Sequence, residues 1–311
     1  MFAKLVKISV INEQNLEKRK VFSYICNKKD TTMIKFPCAK INLGLNITSE
    51  RSDGYHNLET VFYPIPLYDA LEVKLMDERF PSNAACDIKV TGTPIVGDEQ
   101  DNLVVKAYHL LAKDFQIPHV HAHLYKHIPS QAGLGGGSSD AAYMIRLLDE
   151  RFRLNIGIAE MERYAARLGA DCAFFITSEP SFATGIGDIL SPADGPKGNL
   201  NGYHLVIVKP DVSISTRDAY AMITPRQPEK SCREIVRQPI STWRKELVND
   251  FEGPAFSQYP ILKEIKERLY NIGAIYAQMS GSGSAMFGIF RDAPQSVSEL
   301  FPNMFTAVME L

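Results

Sequence analysis

Residues 128–145 read IPSQAGLGGGSSDAAYMI, a glycine-rich loop that leads into a predicted helix. Four of the five residues 133–137 are glycine, which frees the backbone to adopt positive φ angles and to approach a ligand closely. Residues 138–140 (Ser-Ser-Asp) are types that cap helix starts, and apolar residues recur at helical spacing from Ala141 onward. Backbone N–H groups in such a loop bind anions, helped by the positive end of the helix dipole. The stretch therefore predicts a phosphate-binding loop.

A mobile connector is the alternative interpretation of this loop, but a plain linker needs neither capping residues nor an amphipathic helix directly after it. The loop is not a Walker A motif, because G-x-x-x-x-G-K-[ST] occurs nowhere in the chain. The dinucleotide fingerprint G-x-G-x-x-G is also absent, as are the H-R-D and D-F-G motifs of protein kinases. The sequence thus indicates a phosphate cradle of another kind.

Composition narrows the class of protein. The 311 residues are 45% hydrophobic and 23% charged, which is typical of a globular protein with a sizeable core. A formal net charge of −2 argues against a general nucleic-acid binder, and no apolar run reaches the roughly 18 residues that span a membrane. The five cysteines are odd in number and form no C-x-x-C pair, which favours reduced thiols in a cytoplasmic protein.

The chain divides into three predicted segments. Residues 1–33 differ in pattern from the rest and lack a signal-peptide core, so we expect an N-terminal appendage outside the core fold. Residues 192–202 are rich in Pro, Gly, Asp and Asn and mark a boundary between domains 34–193 and 194–311. Strands and helices alternate without the steady rhythm of a doubly wound sheet, which predicts the α+β class.

Two charged residues stand in positions where catalysis is conceivable. Residues 38–47 alternate in polarity as a strand does, with Lys40 and Asn42 on the face opposite the apolar one. Lys40 could be a solvated lysine on an open sheet face, or it could orient a nucleophile or stabilise phosphate charge during transfer. Asp171 follows a predicted helix end at Gly169 and could cap the next element or accept a hydroxyl proton.

Aromatic and histidine residues form two further groups. Tyr55, His56 and Tyr220 lie in or beside predicted loops, where they could be ordinary packing residues or could sandwich a nucleobase. The three histidines of residues 119–123 (HVHAH) would share one strand face. Because no carboxylate or cysteine completes a ligand set in the pattern, structural or surface use is favoured over metal binding.

Several of these motifs together carry a resemblance. In chain order they are PCAKINL (37–43), RSDGYH (51–56), the glycine-rich stretch 133–142, GAD (169–171) and SGSGS (280–284). With these motifs the chain resembles the GHMP superfamily of small-molecule kinases, from about Ile34 to its end. Within that superfamily it is most similar to the kinases of non-mevalonate isoprenoid synthesis that act on a cytidine diphosphate sugar alcohol.

The resemblance implies a two-domain GHMP-kinase fold with the active site in the cleft between the domains. It implies transfer of the γ-phosphoryl group of ATP to the 2-hydroxyl of the acceptor, with Mg²⁺ accompanying the nucleotide. Asp171 is then the general base, Lys40 its partner, and Ser138 a contact of Mg²⁺. The implied substrate-binding residues are Asn42, Tyr55, His56, Thr216 and Tyr220. The implied ATP-binding residues are Asn102, Lys126, Pro129, Ser130, Gln131, Ala132, Gly133, Leu134, Gly135, Gly136, Gly137, Ser138 and Ser139.

Two other functions remain open at this stage. One is a GHMP kinase acting on homoserine, mevalonate or a sugar, and the other is a non-catalytic nucleotide-binding regulator on the same fold. The Asp53–His56 stretch favours a cytidine-bearing acceptor, and retention of Lys40 and Asp171 favours a catalyst. The chain departs from the family's usual pattern at three places: Cys172-Ala173 after Asp171, the glycine-poor Ser130–Ala132, and Tyr220 where phenylalanine is frequent.

Overall fold

The computed structural model describes residues 33–77, 79–95, 97–193, 195 and 200–311. Residues 33–311 belong to one compact unit. Met33, which the sequence assigned to the appendage, opens the first strand and pairs with Val73. The rest of the predicted appendage lies outside the described residues. The domain boundary between residues 193 and 194 stays a prediction.

Strands and helices alternate irregularly along the described chain. The strands are β1 (Met33–Lys35), β2 (Cys38–Glu50), β3 (His56–Tyr68), β4 (Ala70–Leu75), β5 (Cys86–Gly92), β6 (Val120–Lys126), β7 (Ser181–Thr184), β8 (Ile189–Pro192), β9 (His204–Lys209), β10 (Tyr276–Met279), β11 (Met286–Phe290) and β12 (Phe305–Glu310). The helices are α1 (Leu103–Leu111), α2 (Gly136–Phe152), α3 (Ile158–Ala166), α4 (Phe174–Thr177), α5 (Thr216–Ala221), α6 (Cys232–Ile235), α7 (Ile240–Glu246), α8 (Glu252–Gln258), α9 (Pro260–Asn271) and α10 (Val297–Leu300). Within this part of the chain no helix has the length and apolar character needed to cross a membrane.

The described strands form three four-stranded sheets, in the orders β1-β4-β6-β5, β2-β3-β7-β8 and β10-β11-β9-β12. Strands β5 and β6 are parallel, whereas the neighbouring pairs in the other two sheets are antiparallel. Sheets of this kind with helices packed against them are α+β architecture, so the predicted fold class is confirmed.

Strand β9 of the third sheet is covered on both faces, which explains its continuous apolar run from Leu205 to Val208. Leu205 and Ile207 pack into a core shared with β2 and β3. Val206 and Val208 point the other way, into a core shared with helix α9. Because side chains alternate along a strand, a strand covered on both sides is apolar at every position. Strand β2 therefore shares a hydrophobic core with β9, which lies more than 150 residues further along the chain.

Helix α2 begins earlier than the sequence indicated. It starts at Gly136 rather than Ala141, and its N-cap is Gly135 with φ 71°. No side chain of the described residues caps it, so the predicted capping role of Ser138–Asp140 is wrong. These three residues lie inside the first turns instead, because the glycine supplies the left-handed backbone that the helix entry requires. The helix therefore opens directly from the glycine-rich loop.

Candidate active site

Two glycine-rich segments from distant parts of the chain meet backbone to backbone. The first, residues 127–135, joins β6 to α2 and is called the glycine loop; the second, residues 280–284, joins β10 to β11 and is called the serine–glycine loop. Ser280 Oγ donates a hydrogen bond to the Gly133 carbonyl oxygen at 2.9 Å. Gly133 has φ 73°, and a Cβ there would lie 1.9 Å from the Ser280 carbonyl oxygen. Only glycine fits this contact.

Strand β2 passes next to the same loops. The Lys40 backbone N–H donates to the Leu134 carbonyl oxygen at 2.9 Å, and the Asn42 N–H donates to Ser280 Oγ at 3.3 Å. A Cβ on Gly135 would stand 3.2 Å from Lys40 Cγ and 2.7 Å from the Phe175 ring. The glycine loop is thus packed directly against the strand that carries Lys40.

Lys40 and Asp171 form an ion pair, with Lys40 Nζ 3.2 Å from Asp171 Oδ2. The Lys40 side chain is only 3% exposed, so its interpretation as a solvated lysine on an open sheet face is wrong. Its ammonium also donates to Asn42 Oδ1 at 2.6 Å and lies 5.0 Å from the centre of the Phe62 ring. The Asp171 side chain is 32% exposed, and the N-cap of the following helix is Ala173, not Asp171.

This arrangement has the parts of a phosphoryl-transfer site. A partly exposed carboxylate can accept a proton from a hydroxyl group. The fixed ammonium beside it can orient that carboxylate and stabilise negative charge on a phosphoryl group in transfer. The adjoining glycine loop offers backbone N–H groups at the start of α2, where anions bind favourably. The site takes residues from both sides of the predicted domain boundary, since Ser280 lies beyond it.

An aromatic cluster borders Asp171. The Tyr220 ring stacks on His56 with centroids 5.2 Å apart and an interplanar angle of 27°. Its edge contacts Phe251 at a centroid distance of 4.9 Å. Burial, and to a smaller degree the charge of Asp171, raise the pKa of Tyr220 from 10.0 to about 12. A neutral phenol therefore lies close to the carboxylate over the physiological pH range.

The raised pKa of Tyr220 predicts a loss of stability in alkali. Between pH 10 and pH 12 an unfolded chain gives up the phenol proton while the folded chain keeps it, so the free energy of unfolding falls as pH rises. We expect Tyr220 to account for a loss of about 1 kcal/mol between pH 9 and pH 11, measured by urea unfolding. The Tyr220→Phe variant should lack this part of the loss, and equal pH slopes for both proteins would contradict the assignment.

Tyr55 and Thr216 lie at the edge of the site. Tyr55 is 61% exposed and sits in a turn that Arg51 and Asp53 close, with Arg51 Nη2 2.8 Å from Asp53 Oδ2. Thr216 Oγ1 is 3.2 Å from Ser282 Oγ of the serine–glycine loop. The structure thus places His56 and Tyr220 in contact, Thr216 beside the loop, and Tyr55 towards solvent. Their roles in binding a substrate stay predictions.

The predicted nucleotide-binding residues differ in what their side chains contact. Asn102 caps α1, because its Oδ1 accepts a hydrogen bond from the Val104 N–H at 2.9 Å. The Lys126 side chain is 3% exposed and donates to Asp140 and Asp69. The Asn102 Oδ1 and the Lys126 ammonium are therefore bound to protein partners, and a contact from either side chain to ATP stays a prediction.

Within the glycine loop and the start of α2 the predicted positions divide by exposure. Ser130, Gln131 and Gly137 are exposed, and Ala132, Leu134 and Ser139 are buried. The half-buried positions are Pro129, Gly133, Gly135, Gly136 and Ser138. Buried side chains cannot reach a ligand here, so any phosphate contact from their positions must come from the backbone. Ser138 lies beside Cys172, since an added Cβ on Gly169 would stand 4.0 Å from Ser138 Oγ and 3.3 Å from Cys172 Sγ.

Sequence reasoning missed several residues that support the site. Thr60 Oγ1 accepts a hydrogen bond from Asn42 Nδ2 at 3.0 Å and so orients the amide that holds Lys40. Asn249 Nδ2 donates to the carbonyl oxygens of Met279 and Gly281, both at 2.8 Å, and so braces the serine–glycine loop. The register between β2 and β3 shifts around Gly44, so strand alternation alone could not have paired Thr60 with Asn42.

Two of the three histidines at 119–123 contact polar side chains, and the preference for structural or surface use over metal binding stays a prediction. His121 Nδ1 lies 2.7 Å from Asp87 Oδ2, and His123 Nε2 lies 2.8 Å from Thr91 Oγ1. Burial lowers the pKa of His123. Among the described residues, no group of three His, Cys, Asp or Glu side chains could hold a metal ion.

Two family models match this chain on either side of the site. The model described as GHMP kinases N terminal domain matches residues 102–179, and the model described as GHMP kinases C terminal matches residues 233–305. The first includes Asp171 and the glycine loop, and the second includes the serine–glycine loop. The chain is therefore a GHMP kinase, a phosphotransferase that uses ATP as phosphate donor and a small-molecule alcohol as acceptor.

Individual relatives narrow this class further. A 4-diphosphocytidyl-2-C-methyl-D-erythritol kinase of Bacteroides fragilis is 58% identical over 258 residues, which cover 83% of this chain and 92% of the relative. The kinase of the same name from Cytophaga hutchinsonii is 43% identical over 279 residues, covering 90% of this chain and all of the relative. A crystal structure of 4-(cytidine 5'-diphospho)-2C-methyl-D-erythritol kinase superimposes with a TM-score of 0.72 at 29% identity, covering 90% of this chain and 100% of that one.

The chain belongs to the 4-diphosphocytidyl-2-C-methyl-D-erythritol kinase family. The resemblance identified from the sequence is thereby confirmed, as are the GHMP-kinase fold and the prediction that the protein is a small-molecule kinase.

Proposed function

We propose that the protein transfers the γ-phosphoryl group of ATP to the 2-hydroxyl of 4-diphosphocytidyl-2-C-methyl-D-erythritol, in the non-mevalonate route to isoprenoid precursors. The observation that carries the proposal is the Lys40–Asp171 ion pair, at 3.2 Å, packed against the glycine loop in a chain of this family. Relatives that are 43% and 58% identical to this chain are named as kinases of this acceptor, which supports the proposal.

Asp171 is the proposed general base, because its carboxylate is partly open to solvent while the Lys40 side chain is buried. It accepts the proton of the acceptor hydroxyl as the oxygen attacks the γ-phosphorus. Lys40 holds the carboxylate in place through the ion pair, Asn42 Oδ1 accepts a hydrogen bond from the Lys40 ammonium, and Thr60 orients the Asn42 amide. The glycine loop binds the phosphates through its backbone, with the start of α2 adding positive potential.

Magnesium fits this site as a companion of the nucleotide. No cluster of three metal-ligating side chains exists among the described residues, whereas Mg²⁺ in kinases is held largely by phosphate oxygens and water. Ser138, half-buried in the first turn of α2, is the proposed protein contact. Bound there, the ion would neutralise charge on the phosphates during transfer.

The acceptor is assigned from the residues around Tyr55 and from the relatives. Asp53 accepts a hydrogen bond from the Tyr55 N–H at 3.1 Å and pairs with Arg51, and these contacts close the turn before His56. The exposed Tyr55 ring and the His56 ring stacked on Tyr220 suit a nucleobase better than the small acceptors homoserine and mevalonate. Retention of the ion pair and both loops likewise speaks against a non-catalytic regulator.

A cytoplasmic location is part of the proposal and rests on cysteine usage. The four cysteines among the described residues, at 38, 86, 172 and 232, are free and buried. Reduced thiols of this kind persist where the compartment is reducing. We propose no nucleic-acid or membrane partner, in line with the net charge of −2.

The proposed acceptor is tested by ADP release across a panel of alcohols. We expect rapid ADP formation from ATP with 4-diphosphocytidyl-2-C-methyl-D-erythritol, and rates at least about a hundredfold lower with homoserine, mevalonate or galactose, which lack the groups that the site would contact. A coupled assay at saturating ATP measures kcat/KM for each alcohol. Equal values for mevalonate or homoserine would show that the acceptor assignment is wrong.

A further inference from the structure

Three charged side chains lie buried together beside the glycine loop, apart from the Lys40–Asp171 pair. Asp69, Lys126 and Asp140 are 1%, 3% and 2% exposed. Lys126 Nζ donates to Asp140 Oδ2 at 2.7 Å and also to Asp69 Oδ2. Burial acts to lower the pKa of Lys126, but the charges of Asp140 and Asp69 outweigh it, so the pKa is raised. The lysine is a buried cation held between two acids.

These residues connect the two ends of the glycine loop. Asp69, from the turn between β3 and β4, accepts hydrogen bonds from the backbone N–H groups of His127 at 2.6 Å and Ile128 at 2.9 Å, where the loop begins. Asp140 lies in α2, after the loop has ended. Lys126, the last residue of β6, bridges the two carboxylates. The cluster therefore ties the entry of the loop to its exit.

The contact between Lys126 and the start of α2 is close. A Cβ added to Gly136 would lie 3.3 Å from Lys126 Nζ and 3.0 Å from Ile128 Cγ2. Asp140 Oδ1 has no hydrogen-bond partner within the described chain, so the bond to Lys126 is what fixes this side chain. Burial, with a smaller contribution from the charge of Asp69, raises the pKa of Asp140, and the charge of Lys126 opposes this rise.

We propose that Asp69, Lys126 and Asp140 form a positioning cluster. The cluster fixes the distance between the two ends of the glycine loop and so keeps the loop backbone in the conformation that binds the ATP phosphates. The proposal rests on the proposed function of this loop. The three residues act through the loop backbone and touch neither ATP nor acceptor. Because Leu134 in this loop accepts the backbone hydrogen bond of Lys40 at 2.9 Å, a displaced loop would also disturb the catalytic strand.

Two variants of Asp140 and one control separate positioning from general stability. Asp140→Ala removes the acceptor of Lys126, whereas Asp140→Asn keeps a neutral acceptor of the same shape. Asp149→Ala is the control, because Asp149 lies on the same helix but accepts the Ile156 N–H at 2.8 Å at the far end. The readouts are KM for ATP, KM for the acceptor, ATP affinity by calorimetry without acceptor, and amide hydrogen exchange.

We expect Asp140→Ala to raise KM and Kd for ATP by about tenfold, since it breaks a buried hydrogen bond to a charged group. KM for the acceptor should change less than about twofold in Asp140→Ala. In Asp140→Asn, KM and Kd for ATP should lie within about threefold of the parent values. Amide exchange should accelerate at residues 130–136 but not in β10. Asp149→Ala should leave all ATP values unchanged.

Unchanged ATP affinity and loop exchange in Asp140→Ala would overturn the proposal, as would an equal effect from Asp149→Ala. If Asp140→Ala does not fold, Asp140→Ser takes its place, because its shorter polar side chain withdraws from Lys126. Calorimetry and hydrogen exchange need no turnover. Failure of the parent protein to phosphorylate any alcohol would therefore refute the proposed function. The role of the cluster would still be tested by amide hydrogen exchange of the glycine loop in Asp140→Ala.

Discussion

Asp171→Asn is expected to lower kcat by about a thousandfold, because the amide cannot accept the hydroxyl proton and general-base catalysis is worth about 10²–10⁴ in rate. The substitution keeps the shape of the side chain and removes the charge that pairs with Lys40 at 3.2 Å. The KM for ATP should stay within about threefold of the parent value, since ATP is proposed to bind through the glycine loop. Steady-state ADP release measures both constants.

Asp87→Asn is the matched control for this experiment. Asp87 is also a carboxylate paired with a side chain, His121 at 2.7 Å, but it lies on β5, in a different sheet from β2. It should leave kcat and KM unchanged. Near-normal turnover in Asp171→Asn would show that another group removes the proton, and the role of the ion pair would then be confined to charge stabilisation.

Gly133→Ala is expected to lower the free energy of unfolding by about 3 kcal/mol, from backbone strain combined with overpacking. The strain arises because φ is 73°, and the overpacking arises because the added Cβ would stand 1.9 Å from the Ser280 carbonyl oxygen. To relieve the clash the two loops must separate, so kcat/KM for ATP should also fall by at least about tenfold. Urea unfolding and steady-state kinetics measure the two effects.

Gly202→Ala separates strain from clash. Gly202 has a similar φ of 77°, but nothing lies within 4 Å of an added Cβ. Its substitution should lower stability by only about 1–2 kcal/mol and leave the kinetic constants unchanged. If both variants behave alike, the contact between the two loops does not matter for the site, and Gly133 is needed for its backbone angle alone.

Local patterns in the sequence were enough to find the strand and the loop, whereas the pairing of Lys40 with Asp171 was implied by the family resemblance. Alternation along residues 38–47 placed Lys40 and Asn42 on one face of β2, and they do share a hydrogen bond of 2.6 Å. The glycine run indicated where a backbone could approach a ligand. Periodicity and turn chemistry act over a few residues, so they are visible in a single sequence.

Contacts between distant segments were not predictable in this way. The bond from Ser280 to Gly133 joins residues 147 positions apart, and nothing in either loop specifies the other as its partner. The resemblance implies that Lys126 binds ATP, and nothing in the sequence indicates that Asp69 and Asp140 bind its ammonium in the folded chain. Burial of a charge depends on which partners the tertiary fold supplies, and those partners come from separate elements.

The most direct test of phosphoryl transfer to the acceptor is ³¹P NMR of a completed reaction with ATP and 4-diphosphocytidyl-2-C-methyl-D-erythritol. We expect ADP and a new phosphomonoester signal without vicinal proton coupling, because the carbon bearing the 2-hydroxyl carries a methyl group and no hydrogen. Release of inorganic phosphate with unchanged acceptor would contradict the proposed kinase reaction. A monoester coupled to neighbouring protons would place the phosphate on a different hydroxyl and contradict the proposed position of attack.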